Sequence, residues 1–177
     1  MRIALVLLIG PMAGADAVWF VSCHAFCGGG YTLLVIRLIG SLNGRKTVNG
    51  YHNNMLRMPG LERYVGFMRL RDKNNARTVG RTESADLKPW TKAIEVLRGD
   101  AQHQVYSMAV FRYADIYLGL VAIFRIREDR VHTELAWSPD TVTWHRIQPG
   151  TPIIGNSPNE GDYDWGCVYP AATPVVQ

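Results

Sequence analysis

The chain has 177 residues, enough for one domain with a sizeable core, and 47% hydrophobic against 19% charged residues excludes a disordered chain. The formal net charge is +4, but the lysines and arginines are scattered, so they read as a solvated surface and no nucleic-acid partner is expected. Cys23, Cys27 and Cys167 are an odd count without framework or zinc-ligand spacing, which argues against a disulfide-stapled domain and against zinc; no metal and no cofactor is expected.

Residues 1–42 differ from everything after them. Met1-Arg2 precedes the apolar run Ile3 to Ile9, followed by Gly10-Pro11 and the small residues Ala13-Gly14-Ala15. This order fits a short basic segment, an apolar segment and a small-residue cleavage site, as in a secretory signal, which would make the protein secreted or periplasmic. Ala17 to Ile39 can instead be read as a weak membrane anchor, although His24, Gly28-Gly29-Gly30 and Arg37 interrupt it. An unrelated leader is the third reading, and the residues do not decide among the three. The triple glycine lacks the Gly-Lys-Ser/Thr that a phosphate loop requires.

From Asn43 to Gln177 the pattern is that of strands. Asn53 to Met58, Arg63 to Arg69 and Arg77 to Glu83 predict three strands. Ser84-Ala85-Asp86-Leu87-Lys88-Pro89-Trp90 follows, and Ser138-Pro139-Asp140-Thr141-Val142-Thr143-Trp144 returns to the same text 54 residues later. Serine and aspartate side chains at these positions close tight turns on backbone N–H groups, and the tryptophan opens the return strand. Asp86 and Asp140 are therefore structural and not catalytic.

Between the two copies, Ala93 to Leu97, Gln104 to Phe111, Ile116 to Phe124 and Arg130 to Trp137 predict four strands, which is one propeller blade. Gly99-Asp100 and Arg127-Glu128-Asp129 mark turns between them, and Glu134, opposite Leu135 in an alternating strand, is expected to face solvent. Gly166 to Tyr169 and Pro174 to Val176 read as the opening strands of a further blade. The expected fold is all-β, a partial β-propeller of about three four-stranded antiparallel blades spanning residues 43–177. Its uncovered sheet edges invite self-association.

The Ser-x-Asp-Leu-x-x-Trp form of the first copy resembles a hairpin of the five-bladed propeller glycosidases, the family 32, 43 and 68 group. Tyr163-Asp164-Trp165-Gly166-Cys167-Val168-Tyr169-Pro170-Ala171 resembles the Asp-x-Gly-x-x-Tyr-Ala stretch of the family 32 enzymes. The ordered pieces Asn53, Arg63 to Arg69, Gly80 to Asp86, His103 to Met108, Tyr117 to Gly119 and Tyr163 to Gly166 resemble uncharacterised bacterial relatives of these enzymes.

The resemblance implies a carbohydrate partner and a site built on paired carboxylates. It points to Asp164 as the catalytic or hydroxyl-binding acid. Arg69, His103, Tyr106, Asn53 and Asp162 would contact the sugar, with His103 as a proton carrier. The family's first-blade Asn-Asp-Pro is absent, and Asn53-Asn54 stands in the comparable region without a carboxylate. Three functions follow as expectations: a glycosidase-like propeller, a non-catalytic carbohydrate-binding or assembly module, or an inactive truncated product.

Overall fold

The computed structural model describes residues 54–58 and 62–171. The leader, Asn53 and Pro174 to Val176 lie outside the described residues. Eight strands run in chain order: β1 (Asn54–Met58), β2 (Arg63–Arg71), β3 (Arg77–Ser84), β4 (Ile94–Arg98), β5 (His103–Tyr113), β6 (Ile116–Arg125), β7 (Arg130–Ser138) and β8 (His145–Ile147). They form two four-stranded sheets, β1-β2-β3-β4 and β5-β6-β7-β8, with every neighbour antiparallel. No helix occurs among the described residues.

Each sheet is a meander, as short turns between antiparallel strands require. The β2–β3 turn closes on Asp72, whose Oδ1 accepts hydrogen bonds from the N–H groups of Asn74 and Ala76, each at 2.9 Å. Antiparallel registry then places the β2–β3, β4–β5 and β6–β7 connections at one end of the sheets. The β1–β2, β3–β4, β5–β6 and β7–β8 connections lie at the other.

The two copies of the repeated text are the β3–β4 and β7–β8 turns. In the second, Ser138 Oγ accepts from Thr141 N–H at 2.8 Å, and Asp140 Oδ1 accepts from the N–H groups of Val142 and Thr143 at 2.8 and 2.7 Å. Trp144 Nε1 donates back to the Thr141 carbonyl at 3.0 Å, as Trp90 Nε1 does to the Leu87 carbonyl at 3.2 Å. Leu87 and Thr141 both carry positive φ, 66° and 69°. Burial alone would raise the Asp140 carboxyl, but the hydrogen bonds from Thr143 and Val142 outweigh it and hold its pKa below the ordinary value.

This placement shifts the blade boundary. The expected blade began at Ala93 and ended before Ser138. In the structure β4 closes the first sheet, and the second sheet runs from β5 through the second turn to β8. Hydrophobic pattern marks where strands lie, but not which neighbour each one pairs with.

The two sheets pack face to face. Leu56, Met58, Val65, Phe67, Val79 and Leu97 of the first meet Val105, Met108, Val110, Val121 and Ile123 of the second in one core. Polar ties cross the same interface. Asn54 Oδ1 accepts from Val110 N–H at 3.0 Å, and Arg81 Nε donates to Thr141 Oγ1 at 2.9 Å.

Glu134 lies on this inner face, only 1% exposed, and not in solvent as the alternation of β7 suggested. Its register partner on β6 is Val121, a core residue. The charge is matched: His132 Nε2 lies 3.0 Å from Oε1, Gly150 N–H donates to Oε1 at 2.9 Å, and Arg146 reaches Oε2 from Nε at 3.1 Å and Nη2 at 2.5 Å. Alternation separates two faces of a strand but does not say which one a second sheet covers.

Gly166 to Tyr169 opens no further sheet among the described residues. It runs along the edge of β7 that the short β8 leaves free: Val131 N–H donates to the Gly166 carbonyl at 3.1 Å and Val168 N–H to the Val131 carbonyl at 2.9 Å. Ile153 and Ile154 fill the adjacent stretch through Thr133, whose N–H donates to the Ile154 carbonyl at 3.0 Å. Both segments satisfy backbone groups that would otherwise form a bare edge.

Candidate functional site

The end that carries the β2–β3, β4–β5 and β6–β7 connections gathers cations and rings. Val105 and Ser107 pair with Ile123 and Ala122, so Tyr106 is the extra residue of a β-bulge, a device that re-aims a side chain. The Arg69 guanidinium lies 4.8 Å from the Tyr106 ring centre. Arg77, at the start of β3, lies 4.8 Å from the Phe124 ring and 5.5 Å from that of Tyr106. Tyr169 closes the group, its ring 5.4 Å from Tyr106. Cations over aromatic faces are attracted by the ring quadrupole, which helps hold them near one another.

Gln104 fixes Arg77 in place: its Oε1 accepts from Arg77 Nη1 at 3.0 Å and from Arg77 N–H at 3.2 Å. Burial, and then the nearby positive charges of Arg71 and Arg69, lower the Arg77 pKa from its usual value. Burial, and then the neighbouring Tyr106 and Cys167, push the Tyr169 hydroxyl well above its usual range, so Tyr169 stays a neutral phenol. Arg77, Gln104, Tyr106, Phe124 and Tyr169 are all half-buried, which leaves the cluster open on one side.

The sequence-derived residues fall around this cluster as follows. Arg69 and Tyr106 are in contact. His103 starts β5 at the same end, but its imidazole turns to Asp100, with Nδ1 3.0 Å from Oδ2. That hydrogen bond, followed by those from the N–H groups of Gln102 and His103, lowers the Asp100 pKa. Asp162 is exposed and accepts a hydrogen bond from Ser157 Oγ. Asp164 is half-buried, and among the described residues no hydrogen bond or ion pair reaches its carboxylate.

The loop bearing both acids is tied to the same end by Asn156. Its Nδ2 donates to the carbonyls of Val131 at 2.9 Å and Asp164 at 3.1 Å, and its Oδ1 accepts from Arg125 Nη2 at 2.9 Å. Arg130 stacks on Trp165 at 4.8 Å and donates to the Trp165 carbonyl at 2.8 Å.

Sequence reasoning missed Arg77, Gln104 and Phe124. The available signal was registry: Arg77 opposes Arg71 on β2, and Gln104 opposes Phe124 on β6. Among the described residues no group of His, Cys, Asp and Glu has a metal-binding arrangement. A shallow groove lined by Arg63, Glu83, Pro89 and Trp90 lies at the other end of the first sheet, away from this cluster.

No protein-family model matches the chain, and no curated protein matches it. Solved structures do. An N-acetylgalactosamine deacetylase from F. plautii, in complex with blood group B trisaccharide, shares 18% identity at a TM-score of 0.55 over 66% of this chain and 34% of its own. A structure described as a glycoside hydrolase shares 19% at 0.52 over 67% of this chain and 36% of its own. The chain thus spans about a third of the length of these neighbours. Identity this low establishes the fold alone, a partial β-propeller of which the described residues form two four-stranded blades.

Proposed function

We propose that this chain is part of a carbohydrate-binding propeller of the glycoside hydrolase type, with its sugar site at the Arg69–Tyr106–Tyr169 cluster. One observation carries the reading: half-buried Tyr106 and Tyr169 rings 5.4 Å apart, with Arg69 over Tyr106, at the end where the Asp164 loop is anchored. Flat rings cover the apolar face of a sugar, while guanidinium and amide groups reach its hydroxyls.

Asp164 is the acid of this reading, accepting sugar hydroxyls or exchanging a proton, because among the described residues no hydrogen bond or ion pair reaches its carboxylate. Asp162 serves the loop through Ser157. His103 and Asp162 stand at the rim, and Asn53 joins them only as an expectation. Hydrolysis would need two opposed carboxylates about 5–10 Å apart, so binding is the part of the reading that this cluster supports by itself. Self-association belongs to the same reading. The face of the second sheet turned away from the first carries the half-buried Leu118, Leu120, Leu135 and Trp137, an apolar surface suited to another blade.

A glycan array with the whole chain tests the site. Wild type should retain sugars, and Tyr106→Ala should lose them at least tenfold while keeping its strand signal by circular dichroism. Binding unchanged by both Tyr106→Ala and Asp164→Asn would overturn the placement. Wild type that retains no sugar would overturn the function.

A further inference from the structure

Resting on the carbohydrate reading above, we propose that the ligand is an acidic sugar, and that Arg77 receives its carboxylate. Several arginines of the two sheets are matched with acids: Arg63 and Arg81 with Glu83, Arg98 with Asp72 and Glu95, Arg146 with Glu134. Arg77 is not. Among the described residues no carboxylate pairs with it, its only hydrogen-bond acceptor is the neutral Oε1 of Gln104, and its Nε is buried without a partner. Its charged neighbours are Arg71 and Arg69, both of its own sign.

A half-buried guanidinium beside two others is an electrostatic cost that aromatic faces offset only in part. An anion placed against the cluster removes it. The fork of Arg77 is held in orientation by Gln104, so a planar carboxylate can be taken in two parallel hydrogen bonds, which a single ammonium does not provide. Tyr106 and Phe124 beside it supply the apolar wall for the sugar ring that carries the acid. A uronic acid combines the two features.

The test is calorimetric binding of an oligogalacturonate, its methyl ester, a sulfated oligosaccharide of the same length and inorganic sulfate to the whole chain. The uronate should bind at least tenfold more tightly than the ester, and added salt should weaken it. Arg77→Gln should abolish the preference between acid and ester. Arg77→Lys, which keeps the charge and loses the fork, should retain a reduced preference, and it keeps the proposal testable where the glutamine variant fails to fold.

Equal affinity for acid and ester, with sugar still bound, overturns the acidic ligand and leaves the carbohydrate site standing. Tighter binding of the sulfated sugar overturns the carboxylate assignment. Sulfate bound in an Arg77-dependent way with no sugar bound at all overturns the uronate and the carbohydrate reading together.

Discussion

Arg81 of β3 donates from Nε to Thr141 Oγ1 across 2.9 Å, which ties the first sheet to the closing turn of the second. Both residues are buried, and Thr141 is also the residue that takes positive φ in that turn. One residue thus serves the turn through its backbone and the sheet-to-sheet contact through its hydroxyl. Glu83 completes the tie: Arg81 Nη1 reaches it at 2.6 Å, and that bond, against the opposing effect of burial, holds the Glu83 pKa below its ordinary value.

Thr141→Val keeps the shape and removes the acceptor. It leaves a buried N–H of a charged group unsatisfied, at a cost of about 1–3 kcal/mol. Urea denaturation measures it. In Arg81→Met the same substitution should cost much less, since the double change removes both partners. Equal costs in the two backgrounds would show that the bond contributes nothing.

Glu134→Gln should be more severe, about 3–5 kcal/mol, because it leaves Arg146 and His132 beside a buried neutral amide. Burial raises the Glu134 pKa, but hydrogen bonds from His132, Arg146 and Gly150 outweigh it, and the net direction is down. A lowered carboxylate pKa gives stability that is fully present above the unfolded value, about 4.3, and is lost as pH falls through the folded value. Wild type should therefore lose stability below about pH 4 by more than Glu134→Gln does, as acid titration of the unfolding midpoint will show.

Two glycines face the two turn tryptophans with unequal room. A Cβ on Gly119 would lie 2.8 Å from Trp144 and 2.9 Å from the Met108 sulfur, while one on Gly66 would lie 3.2 Å from Thr82 and 3.3 Å from Trp90. Gly119→Ala should cost about 1–3 kcal/mol through overpacking, and Gly66→Ala should cost less. Thermal unfolding of the two variants side by side checks the order, and the reverse order would contradict this packing.

Asn156→Ala should release the loop without unfolding the sheets. It removes hydrogen bonds to the Val131 and Asp164 carbonyls and to Arg125. Hydrogen exchange at the Val131 and Thr133 amides, which donate to Gly166 and Ile154, should accelerate, while exchange in the β5–β6 pair stays near wild type. Proteolysis should gain sites between Ser157 and Trp165.

Much of the strand plan was legible because strand signals are local. Alternating and continuous apolar runs placed β1 through β7, and Ser84-x-Asp86 and Ser138-x-Asp140 placed two turns whose hydrogen bonds span only two or three residues. The candidate site was legible in part. Arg69 and Tyr106 stood out individually, but nothing local joins a residue near the end of β2 to a bulge in β5.

The sequence by itself determined strands β1 to β7, the two Ser-x-Asp-x-x-x-Trp turns and the all-β class, since each depends on residues within a few positions of one another. Only the tertiary structure decided that Glu134 is buried, that β4 closes the first sheet, and that Arg77 joins Arg69 on the rings of Tyr106 and Phe124. The physical reason is the same in each case. These facts depend on which face of one sheet meets which face of another, and alternation along a strand leaves that choice open.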